Sequence, residues 1–198
     1  FWRALLQWLG GIGIIVMAIA VLPMLKIGGM QLFRMESSDH SEKVMPRVTQ
    51  VASGIGFVYL ALTGICAVAL WAVGFDGFDA VAHAMTTIAT GGFSTSDESI
   101  GGFVNPAAEV IVTLFMIIGG LPFVLYLQAV RGDLGVLFRD SQVRWFLILV
   151  VACVAVLGFW HQRTTGAPLG QSYREVAFNV VSIITGTGYT SADYGHWG

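Results

Sequence analysis

Residues 89 to 97 read ATGGFSTSD, and residues 185 to 193 read TGTGYTSAD, 96 positions further along the chain. In both stretches a glycine stands directly before an aromatic residue, and an aspartate ends the stretch. The ten residues before each stretch, DAVAHAMTTI and EVAFNVVSII, align at the same offset and place Thr86 over Ser182. The sequence therefore predicts one supersecondary unit that is used twice, a short helix followed by a glycine loop.

The composition is that of a membrane protein. Of 198 residues, 56% are hydrophobic and 11% are charged, and the mean hydropathy is +0.76. Soluble domains carry about 25% charged residues. The formal net charge of −2 gives no indication of a nucleic-acid partner. We expect an all-α integral membrane protein.

Four apolar stretches are candidates for crossing a bilayer, which takes about 20 helical residues. They are residues 4–25, 51–75, 107–130 and 145–160. The last is the shortest and spans only if it tilts little or borrows flanking residues. The apolar stretches before the two glycine loops are about a dozen residues long, too short to span. We therefore expect each to be a re-entrant helix, from which the glycine loop leads back out.

The positions of lysine and arginine predict the orientation. Basic residues follow the first and third spans, at Lys26, Arg34, Lys43, Arg47, Arg131, Arg139 and Arg144. Residues 76–109 contain none. Because cytoplasmic loops are enriched in lysine and arginine, both glycine loops are expected on the outer side.

Non-helical backbone at membrane depth must be buried in protein or line a watery cavity. Glycine allows positive φ and lets successive carbonyls turn toward one axis, where they replace the hydration shell of a monovalent cation. A preceding helix adds the negative end of its dipole, which favours a cation. The first loop aligns with the TVGYG filter of potassium channels through Thr90, Gly91, Gly92 and Phe93.

With these loops, the stretches FWRALLQWLGGIGIIVMAIAVLP and FMIIGGLPF resemble the Trk/Ktr/HKT superfamily of potassium transporters, closest to the bacterial Trk-type membrane subunit. That resemblance implies a potassium-channel-like fold of four span, pore helix, span repeats around one central pore. The chain would then be a piece of a longer protein. Residues 1–50 would hold the inner span of a preceding repeat and a cytoplasmic loop. Residues 51–144 would form a complete repeat with its filter at 89–95, and residues 145–198 a truncated repeat with its filter at 185–191.

The resemblance also implies roles for individual residues. The potassium filter would be formed by Thr90, Gly91, Gly92, Phe93, Gly186, Thr187, Gly188 and Tyr189. A gate in the third span is a hypothesis for Gly119, Gly120 and Pro122, where a plain helix kink is the alternative.

The function implied is uptake of potassium, as the substrate, across the bacterial cytoplasmic (inner) membrane by a multi-pass protein. The resemblance further implies a homodimer surrounded by membrane lipid and a cytoplasmic nucleotide-binding regulatory subunit, with no cofactor in this chain. A transporter of sodium or another monovalent cation, or a non-transporting scaffold, is the alternative. Channel-like flow and coupling to protons or sodium both fit these features.

Enzymatic interpretations find little support in the sequence. It contains no HExxH, GxSxG or paired CxxC motif, so we predict that the chain is not an enzyme. His83 is expected to be a packed, hydrogen-bonded residue rather than a ligand. Asp97 and Asp193 are expected to cap helices or turns, with attraction of cations at the pore mouth as the alternative.

Overall fold

The computed structural model describes residues 1–21, 44–130, 132–133 and 135–197. In these ranges all regular structure is helical, and short 3₁₀ turns lie at Ser99–Phe103 and Tyr194–His196. The helices are α1 (Trp2–Val21), α2 (Val44–Ala72), α3 (Gly77–Ile88), α4 (Pro106–Gly120), α5 (Phe123–Val130), α6 (Val136–Arg139), α7 (Ser141–Thr165) and α8 (Leu169–Thr185). Much of the loop after α1, with its basic residues 26, 34 and 43, and residue 131 lie outside the described residues.

Two helices are long and apolar enough to cross a membrane on their own. They are Gln50–Ala72, with 23 residues and a mean hydropathy of 2.1, and α7, with 25 residues and 2.3. The apolar stretch 145–160 is extended by flanking residues at both ends, which is one of the two ways in which it was expected to span. Asp140 caps α7 by accepting hydrogen bonds from the backbone N–H groups of Gln142 and Val143, and Gly166 ends it in the left-handed region at φ 69°. The apolar stretch alone did not indicate the full length of the helix, because its first and last turns contain polar residues.

The third predicted span is broken. Helices α4 and α5 meet at an angle of 91°, and together they are long and apolar enough to form a broken span or a re-entrant loop. Leu121 between them is extended, with φ −86° and ψ 152°. Pro122 has no N–H to continue the helical ladder, and its ring disfavours a helical conformation at Leu121. The sequence thus places a sharp turn where the apolar run alone predicted continuity.

The two short helices stand before the glycine loops, as predicted. Helix α3 has 12 residues, and Asp76 caps its start by accepting a hydrogen bond from the backbone N–H of Asp79 at 2.7 Å. Helix α8 has 17 residues and begins after Pro168.

Helix α3 lies inside the helical assembly, packed against α1, α2 and α4. All of its residues from Ala82 to Ile88 are buried. A helix buried on nearly every side belongs to the centre of a bundle. By contrast, Phe57 and Trp71 on α2 and Trp145 on α7 are largely exposed, as expected for side chains that face lipid. The fold therefore places the first glycine loop at the protected end of its most buried helix.

Candidate functional site

The two glycine loops touch each other, backbone against backbone. A Cβ atom built on Gly92 would lie 1.9 Å from the carbonyl oxygen of Thr187 and 2.8 Å from its carbonyl carbon. Gly92 also has φ +69°, in the region that L side chains rarely adopt. Only glycine satisfies both conditions at this position, so the contact between the loops explains why residue 92 has no side chain.

The loops also share a hydrogen-bond pattern at the predicted offset. The backbone N–H of Gly92 donates to the carbonyl of Thr86 at 3.4 Å, and that of Gly188 donates to the carbonyl of Ser182 at 3.3 Å. The hydroxyl of Thr86 donates to the carbonyl of Phe93 at 2.9 Å. Its counterpart Ser182 donates to the carbonyl of Tyr189 at 2.7 Å. The repeat seen in the sequence is therefore a repeat of backbone geometry, held by a hydroxyl in the last turn of each short helix.

A residue in the left-handed conformation stands at the end of each short helix. Thr90 and Gly186 occupy equivalent positions, with φ of 49° and 73°, and left-handed residues commonly end helices. At Thr90 the sequence uses a residue that rarely adopts this conformation. Both loops consequently begin at the carbonyl end of a helix, where the dipole is negative and stabilises a cation.

The two aromatic residues have different surroundings. The half-buried ring of Phe93 lies beneath the guanidinium of Arg3 on α1, with 4.6 Å from Cζ to the ring centroid. Tyr189 is buried, and its hydroxyl forms hydrogen bonds with the hydroxyls of Thr86 and Thr87. The carbonyl oxygen of His83 lies 3.3 Å from the same hydroxyl. The aromatic ring of the second loop is thus inserted against helix α3 of the first unit.

A residue that sequence reasoning missed contacts the first loop directly. The side-chain amide of Gln7 on α1 donates from Nε2 to the carbonyl of Gly91 at 2.8 Å. Its Oε1 accepts from the backbone N–H of Phe93 at 3.2 Å. The only signal in the sequence was a glutamine among the apolar residues of the first span.

Gly91 and its counterpart Thr187 differ in residue type because Gln7 contacts the first loop. A Cβ on Gly91 would lie 2.6 Å from Cδ of Gln7, so the glutamine occupies the space that a side chain would need. In the second loop Thr187 is buried, and its hydroxyl forms a 2.8 Å hydrogen bond with that of Thr185. The first loop is supported here by α1, and the second by its own threonines.

The hypothetical gate residues lie next to the starts of both loops. A Cβ on Gly119 would lie 2.9 Å from the carbonyl oxygen of Ile88, and one on Gly120 would lie 3.0 Å from Cγ2 of Thr185. With Pro122 and Thr90 these glycines line an open, mostly apolar cavity of about 530 Å³. The break between α4 and α5 therefore packs against the ends of both short helices.

Two of the remaining polar candidates, His83 and Asp193, have structural partners. His83 is buried, and its ring nitrogens lie 2.7 Å from the carbonyl of Asp79 and 2.9 Å from the hydroxyl of Ser94. The carboxylate of Asp193 accepts from the backbone N–H of Gly195 at 2.9 Å. Both arrangements agree with packing and capping roles. Within the described ranges, no group of three or more His, Cys, Asp or Glu residues is arranged to hold a metal ion.

Apolar spans, two re-entrant helices and glycine loops in mutual contact define a membrane protein with a channel-like fold. Comparison with known proteins agrees: a family model described as a cation transport protein, TrkH, matches residues 1–198. The chain belongs to this family. The predicted superfamily, the all-α membrane fold and the assignment to transport proteins rather than enzymes are thereby confirmed.

Curated relatives and a solved structure cover the whole chain. The Trk system potassium uptake protein TrkI of Halomonas elongata is 48% identical over 198 residues, which are 100% of this chain and 40% of that protein. The Trk system potassium uptake protein TrkH of Escherichia coli K12 is 41% identical over 204 residues, covering 100% and 42%. The crystal structure of the potassium transporter TrkH from Vibrio parahaemolyticus superposes with a TM-score of 0.86 at 35% identity, covering 100% and 40%. The chain thus spans about two fifths of the length of these relatives.

Proposed function

We propose that this chain forms part of a pore for potassium uptake across the bacterial cytoplasmic membrane. The observation that carries the proposal is the backbone contact between the loops at Gly92 and Thr187. Two glycine loops that meet at the carbonyl ends of two re-entrant helices can present oxygens to one shared axis. The names of the relatives, potassium uptake proteins and a potassium transporter, support potassium as the ion.

In this proposal the residues of both loops act as strands of one selectivity filter. Potassium loses water to carbonyl oxygens of residues 90–93 and 186–189, and the dipoles of α3 and α8 favour the positive charge. Two strands do not enclose an ion, so the further strands belong to the remainder of the longer protein. Residues 1–50, 51–144 and 145–198 are the corresponding parts of successive repeats.

Gly119, Gly120 and Pro122 are proposed as the gate. Their segment lines the cavity beside Thr90 and contacts the ends of both short helices. A movement of this segment would change the width of the cavity. Shortening the segment in the full-length protein is expected to raise ungated potassium flux into proteoliposomes, and an unchanged flux would contradict the gate.

The assembly is proposed from the family resemblance. The longer protein would form a homodimer in lipid and bind a cytoplasmic nucleotide-binding regulatory subunit. The exposed apolar side chains of α2 and α7 support contact with lipid. Chemical cross-linking in native membranes tests both partners, because the dimer and the subunit complex differ in mass.

Glycine substitution in the full-length protein tests the filter. Gly92→Ser and Gly188→Ser are expected to lower the preference for potassium over sodium, measured as the ratio of the two fluxes in proteoliposomes. Gly64→Ser is the matched control, because Gly64 lies in α2 with no atom within 4 Å of its Cβ position. If both loop variants keep the wild-type ratio, the loops are not a filter and the scaffold alternative gains support.

A further inference from the structure

We propose that Gln7 is a positioning residue that fixes the two peptide groups on either side of Gly92 and thereby sets the preference for potassium over sodium. The inference rests on the proposed filter and assigns a function to a helix that contributes no residue to either loop. Its basis is the pair of hydrogen bonds from one side-chain amide to Gly91 and Phe93.

The amide of Gln7 holds the peptide groups that flank Gly92. The carbonyl of Gly91, 2.8 Å from Nε2, belongs to the peptide that precedes Gly92. The N–H of Phe93, 3.2 Å from Oε1, belongs to the peptide that follows it. One planar side chain therefore restrains both peptide planes beside the proposed key glycine.

This restraint determines where the Gly92 carbonyl points. In a planar trans peptide the C=O and the N–H point in opposite directions. Because the N–H of Phe93 is directed at Gln7, the carbonyl of Gly92 is directed away from α1. The carbonyl of Gly91 already accepts a hydrogen bond from Gln7 and keeps one lone pair free. Of these two carbonyls, that of Gly92 is the one fully available to an ion.

Gly92 needs such an external restraint. With φ +69° and no side chain, it can rotate its flanking peptides over a wider range than any other residue type. Discrimination between cations depends on the number and placement of coordinating carbonyl dipoles. If the Gln7 bonds are lost, the peptide after Gly92 is released at its N–H, and the peptide before it is held only by the 3.4 Å hydrogen bond from the Gly92 N–H to the carbonyl of Thr86. Carbonyls that can rearrange can also surround the smaller sodium ion.

The second loop offers a comparison at the same position. There Thr187 is buried and bonded to Thr185, whereas a side chain at position 91 would collide with Gln7 at 2.6 Å. Gln7 and Gly91 thus form a matched pair, since a side chain at position 91 would displace the Gln7 amide from its present position.

The test uses the full-length protein in proteoliposomes and reads potassium and sodium flux separately. Gln7→Met keeps the length of the side chain and removes both hydrogen bonds. We expect its potassium-to-sodium flux ratio to fall by about tenfold, the effect expected from losing one or two hydrogen bonds. Gln142→Met is the matched control, because Gln142 is exposed at the start of α7, and it should keep the wild-type ratio.

A purely structural role would give a different result. If Gln7→Met lowers both fluxes equally, or leaves both unchanged, the inference is wrong. If the Gln7→Met protein fails to fold, Gln7→Glu is measured instead. This variant keeps an acceptor for the N–H of Phe93 and loses the donor to the carbonyl of Gly91. An unchanged potassium-to-sodium flux ratio in Gln7→Glu would again overturn the inference. Gly92→Ser in the same assay separates the two claims. Wild-type ratios in that variant and in Gly188→Ser refute the proposed filter, whereas a lowered ratio in Gly92→Ser with a normal Gln7→Met refutes only the role of Gln7.

Discussion

The two glycine loops have the same backbone geometry but different support. Both begin with a left-handed residue, and in both a hydroxyl of the short helix holds the carbonyl of the aromatic residue. The first loop is held from outside by Gln7 and Arg3 of α1. The second is held by its own threonines and by the hydroxyl of Tyr189. The comparison indicates that the glycines specify the shared geometry, while each loop acquires its own means of fixing it.

The largest difference is expected between Gly92→Ala and Gly188→Ala. Both substitutions strain a residue with positive φ, at 69° and 85°. Only the new Cβ at position 92 also collides with the Thr187 carbonyl; a Cβ at position 188 would have no atom of the described residues within 4 Å beyond its chain neighbours. Potassium uptake should fall by about a hundredfold for Gly92→Ala and about tenfold for Gly188→Ala, measured as initial rates in cells. Equal losses would show that the loop contact does not set the requirement for glycine.

Substitutions at Gly119 and Gly120, which line the cavity, compare the packing at the ends of α3 and α8. A Cβ on Gly119 would press on the backbone oxygen of Ile88 at the end of α3, whereas one on Gly120 would meet only the methyl group of Thr185 at 3.0 Å. We expect Gly119→Ala to destabilise the purified full-length protein by about 2 kcal/mol and Gly120→Ala by less than about 1 kcal/mol. Denaturation in detergent provides the measurement, and the reverse order would contradict the packing described here.

Exchanging the support between the loops tests whether Gln7 and Gly91 act as a pair. Gly91→Thr alone should be impaired because the new side chain displaces the Gln7 amide from its two hydrogen bonds. Adding Gln7→Ala removes the collision and should restore part of the stability, with a coupling energy of about 1–2 kcal/mol in a double-mutant cycle. Strict additivity of the two effects would show that residues 7 and 91 are independent.

The smallest effects are expected at the aromatic residues. Tyr189→Phe removes a hydroxyl bonded to Thr86 and Thr87 and should cost about 1 kcal/mol of stability. Phe93→Tyr adds a hydroxyl to a half-buried ring beneath Arg3 and should be nearly neutral. Thermal unfolding of the two purified variants measures the difference. A neutral Tyr189→Phe would mean that the buried hydroxyl contributes nothing to joining the loops.

Much of this arrangement could be predicted from the sequence because its signals are local. The offset of 96 gave the repeated unit, and the apolar stretches gave two full spans, the broken third span and the two short helices. Of the span predicted at 4–25, the described residues contain only a shorter apolar helix, Trp2–Met17. The polar ends of α7 hid its length, because the apolar stretch alone indicated residues 145–160. The support of the loops was not predictable. Gln7 lies 84 residues from Gly91, and Tyr189 lies 103 residues from Thr86, so only the packing of the helices brings these partners together.

The central claim, that the two loops belong to one potassium filter, can be tested directly by locating the ion. Crystals of the full-length protein grown with rubidium in place of potassium would be measured at the rubidium absorption edge. We predict an anomalous peak between the loops, in contact with the carbonyl oxygens of Gly92 and Gly188. Well-ordered loops without a peak there, together with a rubidium peak elsewhere in the membrane region, would contradict the account.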